Sequence, residues 1–126
     1  MAFSSLVFQY IRVIPINTVT EPWMYEEFKD LIIEAINFRH RFIPYLYSLL
    51  YEAHTKGSPI MSPLLYEFQD DLNCCDIFDT FMLGSSSLLV ANVLEKDMKV
   101  RRIYLPKGCS WYDWWSTKVY EGGSTI

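Results

Sequence analysis

Residues 22–57, PWMYEEFKDLIIEAINFRHRFIPYLYSLLYEAHTKG, carry the pattern around which the rest of the chain has to be read. Pro22 suits a first helical position, where a missing N–H costs nothing, and Glu26 and Glu27 favour the positive end of the helix dipole. Apolar residues then recur three and four apart, at Phe28, Leu31, Ile32, Ala35, Phe42, Leu46, Leu49, Leu50 and Ala53, which predicts one core-facing helical stripe. Pro44 lies inside the pattern; it removes a backbone donor and crowds the carbonyl four residues earlier, so a kink or two helical pieces are expected. His54, Lys56, Gly57 and Pro59 then supply stop signals.

On the N-terminal side, Leu6 to Val13 form a short apolar run ending at Ile14-Pro15, the mark of a buried strand followed by a loop. On the C-terminal side the period changes. Ile60 to Phe68, Phe81 to Val93, Val100 to Leu105 and Trp111 to Tyr120 are strand-like runs separated by Asp, Asn, Gly and Pro, which predicts antiparallel β structure. Gly122-Gly123-Ser124-Thr125 reads as a turn whose following strand is missing. A long helix followed only by strands leaves both helix and sheet edges short of partners, so a domain boundary is expected near Gly57, between 1–57 and 58–126.

Composition narrows the function classes. A chain of 126 residues has the size of one domain, yet 51% hydrophobic and 17% aromatic residues are more than so small a body hides easily, which points to membership of something larger. The net charge is −4, and basic residues are scattered apart from Lys99, Arg101 and Arg102, so no stripe exists to track a nucleic-acid backbone. Arg39, His40, Arg41 and Pro44 interrupt the longest apolar candidate, which excludes a membrane-spanning helix. Met1 to Val13 lack a positive n-region, and Gln9 and Arg12 break the run, so no signal peptide is read. Cys74, Cys75 and Cys109 are an odd set without CxxC spacing; free thiols in a reducing compartment, and so a cytoplasmic location, are expected.

Several blocks carry a family resemblance. Glu21-Pro22-Trp23, Arg39-His40-Arg41-Phe42-Ile43-Pro44-Tyr45-Leu46-Tyr47 and Tyr51-Glu52-Ala53-His54 resemble the last barrel helix of glycoside hydrolase family 31. Pro59-Ile60-Met61-Ser62-Pro63-Leu64, Phe68-Gln69-Asp70-Asp71, Asp79-Thr80-Phe81-Met82-Leu83-Gly84 and Leu88-Leu89-Val90-Ala91 are similar to its barrel exit and first sandwich strands. Tyr104-Leu105-Pro106-Lys107-Gly108 and Trp111-Tyr112-Asp113 extend the match. The resemblance implies an α+β fragment: the last strand and helix of a (β/α)8 barrel over 1–57, followed by the first antiparallel strands of a β-sandwich over 58–126. It also implies retaining hydrolysis of α-glucosidic bonds, with an α-glucoside or oligosaccharide as substrate of the parent and a further chain as a possible source of the rest of the barrel.

Retaining glycoside hydrolysis uses a carboxylate nucleophile and a carboxyl acid/base held roughly 5 Å apart. In this family both are aspartates on earlier barrel strands, in a Trp-x-Asp-x-Asn-Glu block and a Gly-Asp-Asn-like block, and neither block occurs here. No residue inherits a catalytic role, no cofactor or metal is implied, and turnover by the chain alone is not expected. Arg12 maps beside the family's sugar site and is the one substrate-binding candidate; a buried barrel-mouth arginine paired to a carboxylate is the structural alternative. The family's Arg-x-His is here Arg12-Val13-Ile14, and an isoleucine cannot hydrogen-bond a hydroxyl. Ser62 stands for a common Arg and Asn92 for a common Pro, and Ser85-Ser86-Ser87 is one residue longer than usual, which shifts register unless a bulge or turn absorbs it.

Other residue groups invite chemistry and read more simply as structure. Trp111, Tyr112, Trp114 and Trp115 have faces suited to sugar rings but also to a sandwich core or edge. Asp70, Asp71, Asp76 and Asp79 lack a metal-loop pattern and suit turns and caps. His40 and His54 fall near one side of the helix without a third ligand, His54 as a C-terminal cation. Cys74 and Cys75 lie among acidic residues, which raises a thiol pKa rather than activating it.

Overall fold

The computed structural model describes residues 25–126 other than Ser86 and Lys96. The expected strand at 6–13, the helix start at Pro22 and Arg12 lie outside the described residues. From Glu26 to Phe28 the chain makes a 3-10 turn, which passes into helix α1, Lys29–Lys56. Pro44 does not divide it: α1 runs unbroken across 28 residues. Pro44 and His40 both lie on the exposed side, so the carbonyl deprived of its helical donor faces water instead of the core. Gly57 ends the helix in the left-handed region at φ 70°, its N–H donating to Ala53 O at 3.0 Å, with His54 and Lys56 in the last turn.

The buried stripe of α1 is narrower than the apolar pattern. Ala35, Phe42 and Leu49 are buried, whereas Phe28, Leu31 and Leu50, expected on the same face, are about half exposed at 48%, 47% and 54%. Phe28 and Leu31 sit in the first turns and Leu50 on the flank, beyond the reach of the short sheet that the helix covers.

After Gly57 come strand β1 (Met61–Pro63), a one-turn helix α2 (Leu64–Glu67), a 3-10 turn (Leu72–Cys74), and strands β2 (Thr80–Leu83) and β3 (Leu88–Ala91). The strand expected from Ile60 to Phe68 therefore stops at Pro63, whose fixed φ of −65° opens α2. Strands β1, β2 and β3 form an antiparallel sheet in that order, with Leu83 opposite both Met61 and Leu88. Pairing from Thr80↔Ala91 to Leu83↔Leu88 is continuous, so the β2–β3 pair carries no bulge.

Strand alternation gives this sheet two apolar faces. Leu83 and Val90 face Leu49 of α1, with Tyr45, Leu46, Phe81 and Leu88 around them. Met82 faces the other way, onto Leu64 and Cys74, with Phe68, Leu89, Tyr104 and Trp111 around them. Tyr45 Oη donates to Leu83 O at 2.6 Å and fastens the helix to the end of β2.

Beyond β3 the chain has no strand from Val100 to Leu105, contrary to the sequence pattern; Tyr104 makes only an isolated bridge with Thr125. Strands β4 (Ser110–Tyr112) and β5 (Val119–Glu121) form a separate antiparallel pair. The segment after the Gly122-Gly123 turn is not left unpaired: Ile103 and Ile126 exchange backbone hydrogen bonds at 2.8 and 3.0 Å, and Leu105 N donates to Ser124 O at 2.9 Å. Pro106 cuts the pairing short by offering no N–H and turning the chain away.

Gly84 tests the seat of the helix on the sheet. It sits at φ +75°, and a Cβ there would lie 2.7 Å from both Leu49 Cδ2 and Tyr45 Oη. Gly108, at φ +92°, has open space around it. Urea denaturation should show Gly84→Ala destabilising by about 2–4 kcal/mol, from left-handed strain plus overpacking, and Gly108→Ala by only about 1–2 kcal/mol, from strain alone.

Candidate functional site

The most constrained polar group is a carboxylate. Asp71 is 4% exposed and caps the 3-10 turn through Asn73 N, which donates to Oδ1 at 3.3 Å. Its Oδ2 accepts from Tyr104 Oη at 2.7 Å and from Lys107 N at 3.0 Å, while Lys107 Nζ stands 3.9 Å from Oδ1. Burial pushes this carboxyl up, but the Lys107 N–H, the Tyr104 hydroxyl and the Asn73 N–H outweigh burial and hold it below the usual carboxylate range. Tyr104 also accepts from Asn73 Nδ2 at 3.0 Å, and burial, with Asp71 beside it, raises its pKa. An ionised carboxylate with its acceptor positions filled from inside the protein is poorly placed to act as nucleophile or proton donor.

Of the remaining acidic candidates, Asp79 has a structural duty. Arg101 Nη2 pairs with Asp79 Oδ2 at 2.8 Å and donates to Thr80 Oγ1 at 3.0 Å, which fixes the entry to β2. Asp70 and Asp76 are exposed. Among the described residues no group of three His, Cys, Asp or Glu side chains could hold a metal ion. His40 Nδ1 lies 2.8 Å from Ile36 O on its own helix, and His54 is exposed in the last turn. Cys74 is buried, and burial together with Asp71 raises its thiol to about 11, in line with an unreactive thiol.

The aromatic group divides. Trp111 packs against Phe68 at 5.9 Å, and its Nε1 donates to Pro106 O at 2.9 Å. Trp114 and Trp115 lie in the β4–β5 connection, which Asp113 shapes: Oδ1 accepts from Trp115 N at 2.7 Å and Ser116 N at 3.3 Å. This turn lays Trp114 on Phe42 and Trp115 on Phe38, each pair with ring centroids 5.5 Å apart. Tyr112 stays 71% exposed. Three of the four aromatics are thus in structural contacts, although Trp115 keeps most of its ring uncovered. The Asp71 latch was not legible beforehand: Tyr104 and Lys107 lie 33 and 36 residues away in sequence, and no local pattern links them to it.

With this geometry in view, comparison with known proteins is decisive. Residues 57–126, more than half of the chain, match the glycosyl hydrolase family 31 C-terminal domain. The chain belongs to glycoside hydrolase family 31. It is 38% identical to alpha-glucosidase 2 of Bacillus thermoamyloliquefaciens over 104 residues, which are 82% of this chain and 13% of that protein. It is 44% identical to neutral alpha-glucosidase C of Homo sapiens over 108 residues, 84% of this chain and 12% of that protein. The GH31 alpha-xylosidase from a soil metagenome, solved with xylose, superposes with a TM-score of 0.79 at 33% identity over 86% of this chain and 16% of that one. This family 31 chain thus spans about an eighth of the length of the curated relatives.

Asp71 is the residue to perturb. Asp71→Asn puts an amide donor where Tyr104 and Lys107 already donate, and should lower stability by about 2–4 kcal/mol in denaturant titrations at neutral pH. Because the folded-state pKa is lowered, the native contribution of Asp71 is complete above the unfolded value of about 4 and fades as pH falls through the folded value. The wild-type chain should therefore lose stability on acidification below about pH 4, and Asp71→Asn should flatten that slope.

Proposed function

We propose that this chain supplies the last strand and helix of the barrel and the first sandwich strands to a retaining α-glucosidase-type hydrolase, and that it supports hydrolysis without performing it. The observation that carries this reading is the use made of the one buried carboxylate among the described residues: Asp71 is committed to Asn73, Tyr104 and Lys107. The sequence has neither aspartate block of the family's retaining chemistry, and the relatives it matches are several times longer. Hydrolysis of an α-glucoside would then need both reacting carboxylates from other residues, on the same polypeptide or on a partner chain that completes the barrel.

A docking role is the second reading, favoured by a second apolar stripe on α1. Ile36, Ile43, Tyr47 and Leu50 recur at helical spacing and are exposed at 42%, 44%, 74% and 54%, on a flank that the sheet does not cover. A barrel helix has such a flank for its neighbours, whichever polypeptide brings them. Arg12 is the side chain of this chain that would face the sugar in the completed enzyme, and the cytosol is the compartment that suits its free thiols.

Assays with 4-nitrophenyl α-glucoside and α-xyloside check this. The isolated chain should give no turnover above buffer, and co-production with a polypeptide bearing both aspartate blocks of the barrel should restore it. In the restored enzyme, Arg12→Ala should raise KM about tenfold or more. Hydrolysis by the isolated chain would refute the supporting role, and an unchanged KM would remove Arg12 from the sugar site.

A further inference from the structure

A cleft of about 330 Å³ opens between the first turns of α1 and the β4–β5 connection. Its volume lies at the small end of ligand sites, which run from about 300 Å³ upward. Ile33, Phe38 and Trp115 supply its apolar surface, and Asp30, Glu34, Asn37 and Arg41 its polar one. The polar residues stand three and four apart along α1, so they share one face of the helix. Their side chains make no hydrogen bond or ion pair with another described residue. Trp115 rests on Phe38 with centroids 5.5 Å apart and stays 71% exposed, leaving an aromatic surface beside those groups.

We infer that this cleft is a secondary binding site for a neutral pyranose sugar of one or two rings. Two carboxylates accept, the guanidinium donates, and the Asn37 amide does both, which matches the alternating donors and acceptors of adjacent sugar hydroxyls. A cationic ligand would meet Arg41, and an anionic one would meet Asp30 and Glu34. A neutral polyol satisfies both kinds of group, and the C–H face of a pyranose covers the indole of Trp115. Asp113 fixes the main chain of the turn through the Trp115 backbone N–H, and Phe38 supports the indole, so the stacking surface is formed in advance. The assignment does not depend on hydrolysis: the cleft lies on the outer turns of α1 and includes none of the residues given a role in turnover.

Calorimetric titration of the full chain with glucose, maltose and isomaltose tests the site, with tetralysine as a charged competitor. Saturable sugar binding without hydrolysis is expected. Trp115→Ala should weaken it about tenfold and Glu34→Ala about threefold or more, while His54→Ala, at the far end of α1, leaves it unchanged. Glu34 is exposed on a helix, so its variant keeps the fold even if Trp115→Ala disturbs the β4–β5 turn. Absence of saturable sugar binding overturns the inference; so does wild-type affinity in Glu34→Ala and in a folded Trp115→Ala, or binding of tetralysine in place of sugar. These outcomes are separate from turnover in a completed barrel, so the site and the supporting role in hydrolysis fail independently.

Discussion

The C-terminal half hangs on the burial of one negative charge. Taking a carboxylate out of water is costly unless donors replace the water, and Asp71 draws its donors from Asn73 on its own turn and from Tyr104 and Lys107 on a distant segment. Once Tyr104–Lys107 is held there, Pro106 O is in place for the indole N–H of Trp111, and Leu105 N for the carbonyl of Ser124. Gly122 fits this arrangement because a Cβ would collide with the carbonyl oxygens of Pro106 and Cys109. The β4–β5 pair, the Asp113 turn and the two tryptophans on α1 are therefore downstream of a single charge-assisted latch.

The three-stranded sheet is the second constraint, and its strength comes from being covered twice. Met82 and Leu83 are adjacent in β2 and both fully buried, because alternation sends one toward Leu64 and Cys74 and the other toward Leu49 of α1. A short strand buried on both faces cannot slip by one residue without exchanging the two cores, so register is specified in spite of short strands. The close approach of Gly84 to Leu49 and Tyr45 brings α1 onto the same sheet end where the Tyr45 hydroxyl finds its acceptor.

Asp71 is spent on the cap and the latch and Asp79 on the Arg101 pair, while Trp114 and Trp115 fasten β4–β5 to the helix. Uncommitted surface on α1 includes an apolar flank at Ile36, Ile43 and Tyr47 and the polar lining of the cleft beside Trp115.

Sequence alone determined what depends on neighbours close along the chain. The long helix and its glycine cap, the β character of the second half, the unreactive cysteine environment and the family blocks all rest on periodicity or on residues within a few positions. Tertiary structure decided the rest. Nothing local to Phe28, Leu31 or Leu50 shows that the sheet is too short to cover them, and nothing near Val100 shows that only Ile103 to Leu105 find backbone partners. Asp71 looked like one turn aspartate among several, and Trp115 like one aromatic among four, because periodicity reports which way a side chain points and not what stands opposite it. Those oppositions, Tyr104 to Asp71 across 33 residues and Tyr45 to Leu83 across 38, exist only once the chain has closed on itself.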